Sequence, residues 1–282
     1  LALIVDVGTN AEILLGDNSD DPAPLADFVK EFDDSRLRLL PPAEKPLSMQ
    51  DNWERLPPHC RGEWISIIGD DDYLDPDLCE VLRLTTQRVP NADALTWGRS
   101  YFVWPEARSH REITRIPTGS HLMHMEKKDL MRKMFFWEDA KDRPACPFGI
   151  YHGALKKDLL ERIRSAFSNR YFEHPNADYD SICKTVMMAD MCIYWERPLS
   201  VFGACAASNT AGLRDTAVGL ERIRTVREEN QSQLEAADFP FPIELGITSS
   251  VAGAVPPGVP VPVGPEAVAP DQSSGWQMSR TD

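Results

Sequence analysis

The sequence has no apolar run that approaches the length of a membrane span, and no signal-peptide pattern opens it. It also lacks a surplus of basic charge: 30 Lys and Arg stand against 44 Asp and Glu, for a net charge of −14. Binding a phosphate backbone needs clustered Lys and Arg, so no nucleic-acid partner is expected. There is no C-x-x-C pair among Cys60, Cys79, Cys146, Cys183, Cys192 and Cys205. Scattered in apolar settings, these six read as reduced thiols of a cytoplasmic protein, at most peripheral to a membrane. A zinc signature is missing as well, since His121 and His124 stand three apart without an H-E-x-x-H context. No internal repeat is visible. The remainder is ordinary: 42% hydrophobic and 26% charged residues in 282, enough for one sizeable core or two small ones.

The most informative stretch is GEWISIIGDDDYLDPDL, Gly62 to Leu78. Glu63–Ile68 alternates and then runs apolar, which predicts a buried strand. It ends on Gly69 followed by Asp70, Asp71 and Asp72, and Asp75-Pro76 then reads as the cap and first turn of a helix. Three carboxylates at the end of a buried strand repel one another and lose hydration unless a cation compensates them. Ligands of open α/β sheets bind outside the carboxyl ends of strands, which makes a divalent-metal site with oxygen ligands the economical reading. The bland alternative is a solvated turn plus a cap. An EF-hand is excluded, because the positions that need Gly and Glu hold Asp75 and Val81.

Around this stretch the pattern predicts strands at Ala11–Gly16 and Arg36–Leu40 with a helix at Pro24–Phe32 between them. That rhythm is a βαβ unit in a mostly parallel sheet. Ser48–Cys60 reads as a helix broken by Pro57-Pro58, and Pro76–Arg88 as another helix. Ala92–Trp104 reads as a strand or two and His110–Ile116 as a further strand. Leu122–Trp137, Leu155–Ala166 and Ser181–Met188 read as helices, Cys192–Trp195 and Leu199–Phe202 as strands, and Leu213–Ala237 as a charged amphipathic helix. Residues 239–282 are dense in Pro, Gly, Val and Ala without period, which predicts a disordered tail after a domain spanning 1–238.

Three segments together resemble a family 2, GT-A-fold glycosyltransferase. AEILLGDNSDDP is similar to the family's second strand and acid-bearing turn. DNWERLPPHCRGEWISIIGDDDYLDPDL is similar to its helix, strand and D-x-D motif. NADYDSICKTVMMAD is similar to the acidic segment that begins a late helix. The resemblance covers about Ala11 to Leu213 and implies an α/β, GT-A-like fold: a mostly parallel mixed sheet flanked by helices.

The resemblance also implies roles. Asp17 would hydrogen-bond the nucleotide base, with Asn52 supporting the same pocket. Asp71 would lie near ribose or metal, Asp72 would ligate the metal, and Asp70 would share that ligation. Asp178 falls at the position of the catalytic base. Ala177 replaces the Glu that usually precedes it, which leaves Asp178 and Asp180 both open. Two further departures are the Pro57-Pro58 break and the family's first strand, which the sequence is expected to lack. Each residue also has a plainer reading: Asp17 as a turn residue bonding its own backbone, Asp178 as a helix cap, and His152 as a packed core histidine.

The function so implied is metal-dependent transfer of a sugar from a nucleotide-sugar donor to an acceptor hydroxyl, with inversion. The donor would be UDP- or dTDP-linked, the acceptor a glycan or lipid-linked hydroxyl, and the metal Mn²⁺ or Mg²⁺, which suit carboxylate and phosphate oxygens. A nucleotidyltransferase-like enzyme and a non-catalytic binding module on the same fold are the alternatives.

Overall fold

The computed structural model describes residues 2–7, 10–107, 114, 116–140, 143–206, 224–225 and 228–230. Its strands are β1 (Ala2–Val7), β2 (Asn10–Leu15), β3 (Leu37–Leu39), β4 (Trp64–Ile68), β5 (Tyr73–Leu74), β6 (Ala94–Val103), β7 (Leu122–Met125), β8 (Gly153–Lys156) and β9 (Cys192–Ala204). The helices are α1 (Ala23–Lys30), α2 (Met49–Glu54), α3 (Leu78–Arg88), α4 (Lys127–Phe135), α5 (Lys157–Ala166) and α6 (Ala177–Met188).

One sheet runs in the order β3-β2-β1-β4-β8-β6-β9-β5, with β7 paired to β9. Following the pairings, β2, β3, β4, β6 and β9 all point the same way, whereas β1, β8, β5 and β7 run against them. This is the expected mixed, mostly parallel sheet flanked by helices. The place between β2 and β4 is taken by β1, antiparallel to both.

β4 shows why its sequence reads so clearly. All five of its residues are buried, and alternate side chains enter two different cores. Ile65 and Ile67 pack with Leu14, Trp53, Met134, Leu159 and Phe172 on the face that carries α2, α4, α5 and α6. Trp64 and Ile68 pack with Leu78, Val81 and Leu82 of α3 on the other. The strand is therefore fixed on both sides, and so is the place where its acidic end emerges.

β2, α1 and β3 form the expected unit, with β2 and β3 parallel, and the Pro57-Pro58 break is a short 3-10 turn after α2. Four expectations need correction. The helix expected from Pro76 starts at Leu78, because Tyr73–Leu74 first pairs with β9 and Asp75 Oδ1 instead accepts the Asp77 N–H at 2.9 Å. Leu122–Met125 is a strand because β9 offers it a free edge, and the helix begins only at Lys127. Gly153–Lys156 is likewise a strand, inserted between β4 and β6. The two strands expected over 192–202 are one, β9, whose pairing with β6 slips at Trp97 and Gly98. Most of His110–Ile116, the end of the loop at 203–212, all but five residues of the helix expected at 213–237, and the tail at 239–282 lie outside the described residues.

Candidate active site

The acid turn follows β4 directly, and its three carboxylates have different surroundings. Asp72 has a fully buried side chain. Its Oδ2 accepts the Gly69 N–H at 2.7 Å and the Tyr151 hydroxyl at 2.7 Å, and its Oδ1 accepts the Gly203 N–H at 2.8 Å. His152 Nε2 lies 3.1 Å from the same Oδ2, a close contact without hydrogen-bond alignment. Burial alone would raise this carboxyl, but His152, the Gly203 N–H and the Tyr151 hydroxyl together hold it below the usual carboxylate range. Burial, and then Asp72, push the Tyr151 phenol far up, so it stays a donor.

Behind Asp72 the network continues inward. Ser200 Oγ accepts the Trp97 indole N–H at 2.8 Å and lies 2.9 Å from His152 Nδ1. His152 is fully buried and adopts φ 54°, a conformation that a non-glycine residue holds only when its surroundings fix it. β9 must also approach the acid turn closely: a Cβ on Gly203 would fall 1.7 Å from the Asp71 carbonyl oxygen. The Trp104 indole N–H donates to that same oxygen at 3.0 Å.

In the ligand role expected from the sequence, Asp72 would share with a metal oxygens that already accept three protein donors. A carboxylate offers about four lone-pair sites, and here protein donors occupy both oxygens away from solvent. Asp70 and Asp71 are different. Asp70 is exposed, and Asp71 is half-buried, its Oδ2 accepting the Cys205 N–H at 3.4 Å. Among the described residues no three His, Cys, Asp or Glu side chains form a cage of their own. Two carboxylates fit a hard cation whose remaining ligands are substrate phosphate and water.

Asp17 lies at the carboxyl end of β2. Its Oδ1 accepts the Ser19 N–H at 2.9 Å and the Ser19 hydroxyl at 2.7 Å, so the turn reading of this residue holds for that oxygen. Its Oδ2 is buried and has no hydrogen-bond partner among the described residues. Asp17 lines a cleft of about 180 Å³ whose other walls are apolar, including Pro22, Ala26, Leu39, Leu40 and Pro42. Asn52 sits behind it, its Nδ2 3.5 Å from the Gly16 carbonyl and its Oδ1 accepting Arg55 Nε at 2.8 Å. Arg55 also donates to the carbonyls of Pro41 and Asp17, tying β2, α2 and the chain after β3 into one rigid wall. Trp53 connects this wall to the acid turn, its ring 5.5 Å from that of Tyr151.

The third acidic position is the first turn of α6. Asn176 is the N-cap, so Asp178 lies inside the helix rather than capping it. Its Oδ1 accepts the Tyr179 N–H at 3.0 Å, and the side chain keeps partial exposure in crowded surroundings. Burial pushes its carboxyl up, offset in part by the Tyr179 N–H and by the charges of Arg99 and Arg143. Asp180 faces inward. Its Oδ2 accepts the Glu173 N–H at 2.7 Å and the Lys184 ammonium at 2.9 Å, and Lys184 reaches Glu173 as well at 3.0 Å.

Two acidic segments thus act on Tyr151: Asp72 and Asp71 after β4, and Asp178 on α6. Of the sequence-predicted residues, the structure groups Asp70, Asp71, Asp72 and Asp178 here, with Asp17 and Asn52 on the adjoining wall. Arg55, Arg99, Arg143, Tyr151, Ser200 and Gly203 had no motif to announce a role at the site. The plain reading of His152 as a hydrogen-bonded core residue is the one the structure shows.

No family model matches the sequence, and no curated protein matches it. Solved structures do. S. aureus TarS residues 1–349 in complex with UDP-GlcNAc superposes with a TM-score of 0.51 at 11% identity, covering 77% of this chain and 57% of that one. The fold is GT-A-like. The same S. aureus TarS fragment without the ligand gives a TM-score of 0.49 at 13% identity over 86% and 60% of the two chains. The present chain spans little more than half the length of these neighbours. No helix among the described residues is long and apolar enough to cross a membrane.

Proposed function

We propose that this chain transfers a sugar from a nucleotide-sugar donor to an acceptor hydroxyl with inversion, supported by a divalent metal. The observation that carries the reading is that carboxylates from two elements act on Tyr151: Asp71 and Asp72 after β4, and Asp178 on α6. The acid turn lies at the carboxyl end of a central strand on a GT-A-like fold, where open α/β sheets bind ligands.

Asp17 supports a uracil- or thymine-containing donor. Its buried, unpartnered Oδ2 beside an apolar cleft suits a base that brings a flat face and an imino N–H. UDP-sugars are the first donors to test, since the neighbour was solved with UDP-GlcNAc, and dTDP-sugars share the imino group. Asp70 and Asp71 are the residues that would hold Mn²⁺ or Mg²⁺, whose chemistry is Lewis-acid stabilisation of a departing diphosphate. Asp72 keeps their turn in place through Gly69, Tyr151 and Gly203.

Asp178 takes the acceptor's proton. As the acceptor oxygen attacks the anomeric carbon, the C1–O bond to the diphosphate breaks on the opposite face and the hydroxyl proton passes to the Asp178 carboxylate. Direct displacement inverts the anomeric centre, and such a base contributes on the order of 10²–10⁴ in rate. Asp180 is not open to this role, being held by Lys184 and the backbone of residue 173.

The test is turnover of a panel of UDP- and dTDP-sugars with Mn²⁺ or Mg²⁺ and in EDTA. Metal-dependent release of the nucleoside diphosphate is the expected result. Pyrophosphate exchange would point instead to a nucleotidyltransferase, and nucleotide binding without turnover to a non-catalytic module. Absence of any nucleotide binding would overturn the reading.

A further inference from the structure

A row of aromatic rings leads away from the acid turn to the surface. Arg99 and Tyr101 of β6 are both exposed and, two residues apart, share one face of the strand. The parallel register sets Arg99 beside Ser200 and Tyr101 beside Phe202. Ser200 and Phe202 face His152, so all four project towards the side of the sheet that holds Asp72. The Tyr101 and Phe202 rings stack at 5.8 Å with 18° between their planes. Phe202 is 5.9 Å from the Tyr151 ring, and the Tyr151 hydroxyl holds Asp72 at 2.7 Å. The outer end of the row, Tyr101, is 38% exposed.

Arg99 and Arg143 both act on Asp178, and no ion pair joins either to another described residue. In a chain of net charge −14, two cations beside the base and an aromatic surface are a local reversal of the protein's own field. A planar guanidinium fork matches a carboxylate or phosphate, and an aromatic face matches the C–H face of a sugar ring.

We propose that Tyr101, Phe202 and Arg99 form the acceptor subsite, a platform for a sugar ring that carries an anionic substituent. This rests on the glycosyl-transfer reading above and extends it to the acceptor's chemical class. An acceptor stacked on Tyr101 with its anion on Arg99 lies beside Asp178, where its hydroxyl must lose a proton.

The experiment is steady-state transfer from a turned-over UDP-sugar to matched acceptors: a neutral glycoside, its uronate and its phosphate. The wild type should favour one or both anionic acceptors by about ten-fold or more in kcat/KM, the scale of one charge-assisted contact. Arg99→Gln should collapse that preference, whereas Tyr101→Ala should raise the acceptor KM several-fold for every acceptor. The donor KM and melting temperature should stay near wild type in both. Equal use of neutral and anionic acceptors by the wild type would overturn the proposal. So would a preference that survives Arg99→Gln, or an acceptor KM unmoved by Tyr101→Ala. Donor hydrolysis that continues in such a case leaves the transfer reading standing. A wild type that turns over no nucleotide sugar removes both.

Discussion

The turn after β4 and the first turn of α6 solve the same problem in opposite ways. Each places carboxylates a few residues apart at the edge of the core, locks one inward and leaves another open. After β4 the locked acid is Asp72, held by the neutral donors Gly69 N–H, Gly203 N–H and Tyr151 OH with His152 nearby. On α6 it is Asp180, held by the Lys184 ammonium, itself 1% exposed. Neutral donors stabilise a buried carboxylate by hydrogen bonds alone, whereas an ion pair makes each partner depend on the other's charge. Asp70 is exposed and Asp71 and Asp178 keep partial exposure, whereas their neighbours Asp72 and Asp180 are locked inward.

The largest expected effect breaks the comparison on α6. Asp180→Ala leaves the Lys184 ammonium buried with Glu173 as its remaining carboxylate, and should cost about 3–5 kcal/mol of stability by urea unfolding. Asp178→Asn keeps volume and helix geometry, so its unfolding midpoint should stay near wild type while single-turnover transfer falls about 10²-fold or more. A stable but inactive Asp180→Asn beside an active Asp178→Asn would reverse the assignment of the base.

The next effect sharpens the comparison after β4. Asp72→Asn turns an amide N–H towards donors that need an acceptor, which should cost about 1–3 kcal/mol. Asp70→Asn, on an exposed side chain, should move stability by no more than about 0.5 kcal/mol. Thermal melts of the two variants compare them directly, and an equal cost would show that Asp72 is not the structural member of the turn.

The smallest effect is in pH. Burial raises the Asp178 pKa, so folding favours its protonated form, and this group costs stability as pH rises from the ordinary carboxylate value through the raised one. A base works deprotonated, so the transfer rate should climb over the same interval, above the usual ~3.9 of Asp. Asp178→Asn should remove that limb from the pH profile and stabilise the fold slightly above it. A limb at the ordinary Asp value would contradict the burial of this carboxyl.

Much of this organisation was legible in the sequence, and the illegible parts have a common cause. β4 could be read because both of its faces are buried and its end is marked by Gly69 and three acids. The break after α2 could be read because Pro57-Pro58 leaves no alternative. β8, four residues with three of them buried, is too short to show a strand period and was absorbed into the pattern of α5. β7 takes its structure from an edge of β9 that lies about seventy residues downstream. The hydrogen bonds that hold Asp72 were not legible because its partners are remote: Tyr151 is 79 residues away and Gly203 is 131. The Asp180 lock, by contrast, had a signal in the i, i+4 spacing to Lys184.

The account's central claim is that the open acids after β4 hold a metal–nucleotide diphosphate while Asp72 holds the turn. Isothermal titration of UDP into the protein with Mn²⁺, repeated in EDTA and with Asp71→Asn, tests it most directly. The account predicts binding with Mn²⁺, its loss in EDTA, and an affinity reduced by about ten-fold or more in Asp71→Asn at an unchanged melting temperature. Equal UDP affinity with Mn²⁺ and in EDTA would contradict it.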